Sequence, residues 1–155
     1  MSTLQAKSAP STSQASTYIS PDLRYKSLRE ESARYGEGND CSVIATAMVL
    51  SQSYNEAHSL LHSLGRKARH GFNTRLLETH LAGRVAPRVR PTQPNGSSYT
   101  VTSITSLLPV GKYLVYTSGH ALACIHGRIY DWTEDRKHRV TSYVELDTSN
   151  ILSLL

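Results

Sequence analysis

Residues 111–132, GKYLVYTSGHALACIHGRIYDW, set two apolar runs back to back and mark their ends with glycine. Short runs rich in Tyr, Val, Ile and Leu between glycines predict β-strands. GKYLVYTSG reads as one strand. HALACIHGRIYDW reads as a hairpin, with a strand over 120–125, a turn at His126-Gly127 and a return strand over 128–132. HRVTSYVEL (138–146) alternates apolar and polar residues and predicts another strand. A turn at 126–127 pairs residues whose numbers sum to about 253. That register sets His120 roughly opposite Thr133 and close to Asp131.

The preceding residues have a helical period. NDCSVIATAMVLSQS carries apolar residues at 43, 44, 47, 48 and 50, with Asn39 or Asp40 as cap and Cys41 in the first turn. In SYNEAHSLLHSLG, Ser53 and Glu56 have capping-box spacing, and Ala57, Leu60, Leu61 and Leu64 form a stripe ending at Gly65. NTRLLETHLAG predicts a short third helix from Asn73 or Thr74 to Gly83. Residues 84–98 hold three prolines and an Asn-Gly, which predicts a crossing loop with one extended piece near Val85–Val89. YTVTSITSLLPVG fits a strand or a short helix equally, and Pro109 ends either. Helices followed by an antiparallel sheet make the fold class α+β.

Residues 1–20 are rich in Ser, Thr, Ala and Gln, and Lys7 is their only charged side chain. Such a segment buries too little apolar surface to offset its ordering entropy, so a flexible arm is expected over 1–20 and one folded domain over 21–155. The N-terminus lacks the apolar core of a signal peptide, and no run nears the roughly 18 residues of a membrane helix. Secretion by a signal peptide and membrane partners are therefore not expected. Two cysteines, Cys41 and Cys124, are too few for a disulfide framework. The net charge of +5 concentrates in GRKARHG (65–71), GRVAPRVR (83–90) and RKHR (136–139). These clusters read as solvated basic faces, with nucleic acid as the alternative partner, although no zinc-finger, RNP1 or bZIP motif accompanies them.

A thiol at a helix N-terminus has its thiolate favoured by the helix dipole and the free N–H groups. A thiolate beside an imidazole is the nucleophile of a cysteine hydrolase, and a carboxylate on the other ring nitrogen aims that imidazole. Cys41, His120 and Asp131 meet these requirements as nucleophile, general base and acid, and orienting group. The Cys41 N–H supplies one oxyanion donor. Asn39, in the glycine-rich YGEGND, is the candidate for a second.

GNDCSVIATAMVLSQSYNEAHSLL together with GKYLVYTSGHALACIHGRIYDW resembles the papain-like cysteine peptidase superfamily, most of all its small phage and bacterial forms. The resemblance covers about 36–64 and 110–132. It implies a papain-like α+β fold, with a central helix headed by Cys41 packed on the sheet that carries His120 and Asp131. It also implies a thiol protease or amidase acting on a peptide or protein through an acyl-enzyme, without metal or cofactor. The family's glutamine about six residues before the cysteine has no counterpart, since Tyr35 stands there. The alternative is a catalytically inactive papain-like scaffold in a phage virion, with the arm reaching assembly partners. Host cytoplasm or virion is the expected location on either reading.

The remaining candidates read as structural. Cys124 alternates with Leu122 and predicts the core or second face of the sheet. His126 is expected exposed in its turn, and Tyr130 and Trp132 are expected to pack on the sheet. His58 and His62 have the i, i+4 spacing of a metal chelate, but a solvated helix face is the expected reading.

Overall fold

The computed structural model describes residues 19–131 and 138–146. Within them lie α1 (Pro21–Tyr35), α2 (Cys41–Leu50), α3 (Tyr54–Ser63), α4 (Thr74–His80) and a 3-10 turn over Ser103–Ser106. Four strands follow: β1 (Lys112–Thr117), β2 (His120–Ile125), β3 (Arg128–Tyr130) and β4 (Val140–Glu145). The fold is α+β, four helices on a four-stranded antiparallel sheet ordered β3-β2-β1-β4. The arm up to residue 18, Thr133, Trp132 and the first half of RKHR lie outside the described residues.

Every residue of α2 from Ser42 to Val49 is buried. A helix apolar on all sides belongs at the centre of a domain, and α2 packs against β2, α3 and α1. Helix α3 starts at the expected capping box, the Ser53 side chain accepting from the Glu56 N–H while the Glu56 carboxylate accepts from the Ser53 N–H. The Asn73 side chain caps α4.

Helix α1 has no counterpart among the expectations above, because its periodic signal is thin: Leu28 is the one residue buried along it. Its ends are nonetheless well marked. Ser20 caps it, Pro21 occupies the first turn, and Gly36 closes it at φ 65, a conformation that favours glycine. Arg24 binds it to the centre, its guanidinium donating to the Ala47 (2.7 Å), Met48 (3.3 Å) and Gln52 (3.2 Å) carbonyls at the C-terminal end of α2.

Strands β1 and β2 are covered on both faces. Leu114, Tyr116, Ala121, Ala123 and Ile125 join the helical core, whereas Tyr113, Val115, Leu122 and Cys124 face a second layer with Val101, Ile104 and Leu108. Burial on both sides explains the nearly continuous apolar runs. Strand β4 keeps the alternation, with Val140, Ser142 and Val144 buried. The ambiguous 99–109 segment forms the 3-10 turn and supplies the second layer. The crossing loop makes bridges at Val85 and Val89 to Leu146 and Tyr143, which is the expected extended piece. Strand β3 pairs as the 126–127 turn requires, Ala123 with Tyr130, Cys124 with Ile129 and Ile125 with Arg128.

Candidate active site

Cys41 is the first residue of α2 and is partly exposed. The expected side-chain cap is not formed. Asp40 occupies the cap position but turns its carboxylate inward, accepting from Ser32 Oγ (2.5 Å) and Tyr54 Oη (2.8 Å). The first-turn N–H groups of a helix have no intrahelical acceptor, and the Ser42 N–H favours the Cys41 thiolate. So does the N–H of Ala121, which lies beyond the last β2–β3 pair.

His120 opens β2 and Asp131 follows β3, with their side chains 10% and 2% exposed. His120 Nε2 donates to Asp131 Oδ1 at 3.0 Å. Continuing the hairpin register sets Asp131 opposite Leu122, one diagonal step from His120. The His120 ring is near enough to the Cys41 sulfur for each to shift the other's ionisation. With Nε2 on the carboxylate, Nδ1 is the nitrogen left for the thiol. Cys41, His120 and Asp131 are thus brought together, as a thiolate nucleophile, its proton carrier and an orienting group would be.

Electrostatics favour the charged pair. Burial pushes the Cys41 thiol up. Hydrogen bonds from His120 and the Ala121 and Ser42 N–H groups, with the imidazolium charge, outweigh burial and leave the thiol below its ordinary value. Burial pushes His120 down, but hydrogen bonds to Asp131 and Cys41 and their negative charges raise it to about 9.

The Asn39 amide is committed elsewhere. Its Nδ2 donates to the Arg69 carbonyl at 3.2 Å, and Asn39 itself is left-handed at φ 55. Of the two expected oxyanion donors, the structure sets the Cys41 N–H at the helix head and the Asn39 side chain on the 66–70 turn.

A network behind that loop is not visible in the sequence pattern. Glu37 Oε1 accepts from His58 Nε2 (2.8 Å) and Arg66 Nη1 (3.0 Å), and Glu37 Oε2 accepts from the Arg69 N–H (2.8 Å). Arg66 Nη2 also donates to the Asn39 carbonyl (3.3 Å). The Glu37 and Arg66 side chains are 4% and 1% exposed. Burial raises the Glu37 carboxyl, yet the hydrogen bonds from His58, Arg66 and Arg69 hold it below its ordinary value. The one available signal was a glutamate between the glycines of YGEGND.

This network corrects two expectations. GRKARHG is not all solvated, because Arg66 is buried in an ion pair. His58 is not on a solvated face either, being stacked with Tyr35 and Tyr54 and bonded to Glu37. His62 Nδ1 donates to the Arg66 carbonyl. Arg88 of the second cluster is likewise engaged, paired with Glu78 and lying 4.5 Å over the Tyr116 ring. His126 is exposed in its turn, Tyr130 packs in the helical core, and Cys124 is in the second layer. No group of three or more His, Cys, Asp or Glu side chains suited to a metal occurs among the described residues. No helix among them is long and apolar enough to cross a membrane.

No family model, curated protein or solved structure matches the chain.

Proposed function

We propose that the chain is a papain-like thiol hydrolase that cleaves a peptide or isopeptide bond. The observation that carries the reading is the His120 Nε2 hydrogen bond to Asp131 Oδ1 at 3.0 Å on a ring that also acts on the Cys41 thiol at the head of α2. In this mechanism the Cys41 thiolate attacks the carbonyl carbon, and the negative charge moves to the oxygen beside the Cys41 N–H. The His120 imidazolium gives its proton to the leaving nitrogen, the C–N bond breaks, and a thioester remains on Cys41. Water then attacks the thioester while His120 takes its proton. The acid departs, and the Cys41 thiolate and His120 imidazolium are restored. Asp131 holds the ring in one tautomer and stabilises its cation. Cys41→Ala is expected to abolish amine release from a peptide substrate while leaving circular dichroism unchanged. Equal turnover in the variant would end the reading.

One observation favours a catalytically inactive papain-like scaffold, such as a phage virion component. The Asn39 Nδ2 donates to the Arg69 carbonyl, which holds the amide on the 66–70 turn in place of the second oxyanion donor expected of it. A missing donor slows acyl transfer by roughly a hundredfold to a thousandfold. The scaffold reading predicts rapid alkylation of Cys41 with no turnover across a peptide library, and loss of assembly when residues 1–20 are deleted. Turnover of any library peptide that depends on Cys41 would overturn it.

A further inference from the structure

The 66–70 turn, tied to the loop that leads into Cys41, carries positive side chains for which no ion pair other than that of Arg66 occurs among the described residues. From Ala57 to Leu77 the chain has no Asp or Glu but has Arg66, Lys67, Arg69 and Arg75. Glu37, which bonds this turn, is drawn inside with Arg66 and is 4% exposed. Lys67 and Arg69 remain exposed. Arg69 is held left-handed at φ 65, a conformation unfavourable for a side chain of this kind and one that tends to persist where surrounding contacts over-determine it, often at binding sites. Its N–H donates to Glu37 Oε2 at 2.8 Å and its carbonyl accepts from Asn39 Nδ2 at 3.2 Å. Both main-chain groups are thereby tied to the loop that leads into Cys41, and the guanidinium is left to the outside. Two peptide steps from Asn39 to Cys41, plus one side chain and one hydrogen bond, set the Arg69 backbone within roughly 15 Å of the nucleophile. An extended substrate covers that distance in about four residues.

We propose that Lys67 and Arg69 form a cationic rim that selects acidic peptides, those carrying Asp or Glu within a few residues of the bond cleaved by Cys41. The rim rests on the hydrolase reading, since it gives that reaction its substrate class.

The test uses two alkylating probes, N-iodoacetyl-Glu-Glu-amide and N-iodoacetyl-Gln-Gln-amide, on the full chain at low salt, with Cys41 modification followed by mass spectrometry. The Glu probe is expected to react about tenfold faster than the Gln probe, as close opposite charges at a protein surface allow. In Lys67→Gln/Arg69→Gln the ratio is expected to fall towards one. The main-chain bonds at 69 survive that substitution, and circular dichroism checks the fold. Equal rates in the parent, or a ratio unchanged in the variant, would overturn the rim. Salt-sensitive binding of a single-stranded oligonucleotide that is lost in the variant, with no Glu preference, would overturn it in favour of nucleic acid. Iodoacetamide on the parent across pH reads the hydrolase proposal separately. An ordinary thiol profile together with a persisting Glu preference would remove the hydrolase and keep the rim.

Discussion

The two cysteines occupy opposite sides of the same sheet, Cys41 partly withdrawn from water and Cys124 wholly so. Cys41 heads α2 on the helical side, and Cys124 sits in the middle of β2 facing the second layer. Burial pushes both thiols up. At Cys124 the one offset is the Gly127 N–H, and the thiol rises to about 11. At Cys41 two N–H groups and the His120 imidazolium reverse the sign. Desolvation alone makes a thiol inert, and the directional partners around the sulfur make it reactive. Those partners come from the ends of elements, the first turn of α2 and the start of β2, where backbone donors are not already committed to a ladder or helix.

Iodoacetamide at pH 7 is the sharpest probe of this contrast. A thiol at about 11 is ionised in roughly one molecule in ten thousand at that pH, and Cys124 is fully buried as well. Cys41 is expected to be alkylated on the order of a thousandfold faster than Cys124, as read by peptide mapping after timed quenching. Rates within tenfold of each other would erase the contrast.

The next largest effect concerns what holds the thiol loop in place. Arg66→Ala strands the Glu37 carboxylate at 4% exposure with His58 and the Arg69 N–H as its remaining partners. Breaking a buried pair from one side costs about 3 kcal/mol. Chemical denaturation is expected to show that loss, and Cys41 alkylation is expected to slow with it because Asn39 loses the Arg66 contact to its carbonyl. Stability unchanged within about 0.5 kcal/mol would mean that the network braces nothing. The network was also the part of the site least legible beforehand. Cys41 at a helix head, the hairpin register that carries His120 to Asp131, and the Ser53–Glu56 box all follow from spacing within one or two elements. Glu37 and Arg66 meet from either side of two helices, so no local period records them. Helix α1 was missed for a related reason: its hold on the core is a guanidinium on carbonyl groups, and a hydrophobic pattern does not register that. Asn39 shows the converse. Its type and position suited an oxyanion donor, and only the tertiary path of the 66–70 turn commits its amide elsewhere.

His120→Ala is expected to slow Cys41 alkylation at pH 6 by on the order of a hundredfold, because the thiol returns towards its ordinary ionisation. The same substitution changes how stability depends on pH. His120 keeps its proton to about 9 in the fold, against 6.5 for the free side chain. His120 therefore takes up a proton on folding between those values, a contribution complete below 6.5 and lost as pH rises through about 9. The Cys41 thiol, held below its ordinary value, releases a proton on folding and offsets this, so the comparison is made without the thiol. Cys41→Ala is expected to lose stability across this window more steeply than Cys41→Ala/His120→Ala. Identical slopes would mean that His120 carries no bound proton there.

The smallest effect separates the two supports of the thiol loop. Tyr54 Oη donates to the buried Asp40 carboxylate one residue before Cys41, at the same oxygen that Ser32 reaches. Tyr54→Phe removes one donor from an acceptor that keeps the other, and the ring still fills its place beside Tyr35 and His58. Losing one bond to a charged group under these conditions costs about 1 to 2 kcal/mol, less than stranding Glu37. Tyr54 makes no contact with the sulfur among the partners that set its ionisation, which are His120, Ala121 and Ser42. The expected result is a modestly lower midpoint in urea with Cys41 alkylation within twofold of the parent at pH 7. A large drop in alkylation with only that modest loss of stability would make the Asp40 carboxylate, held by Tyr54, a second determinant of the thiol's reactivity. The difference between Cys41 and Cys124 would then rest on the loop's buried charge as well as on the partners at the sulfur.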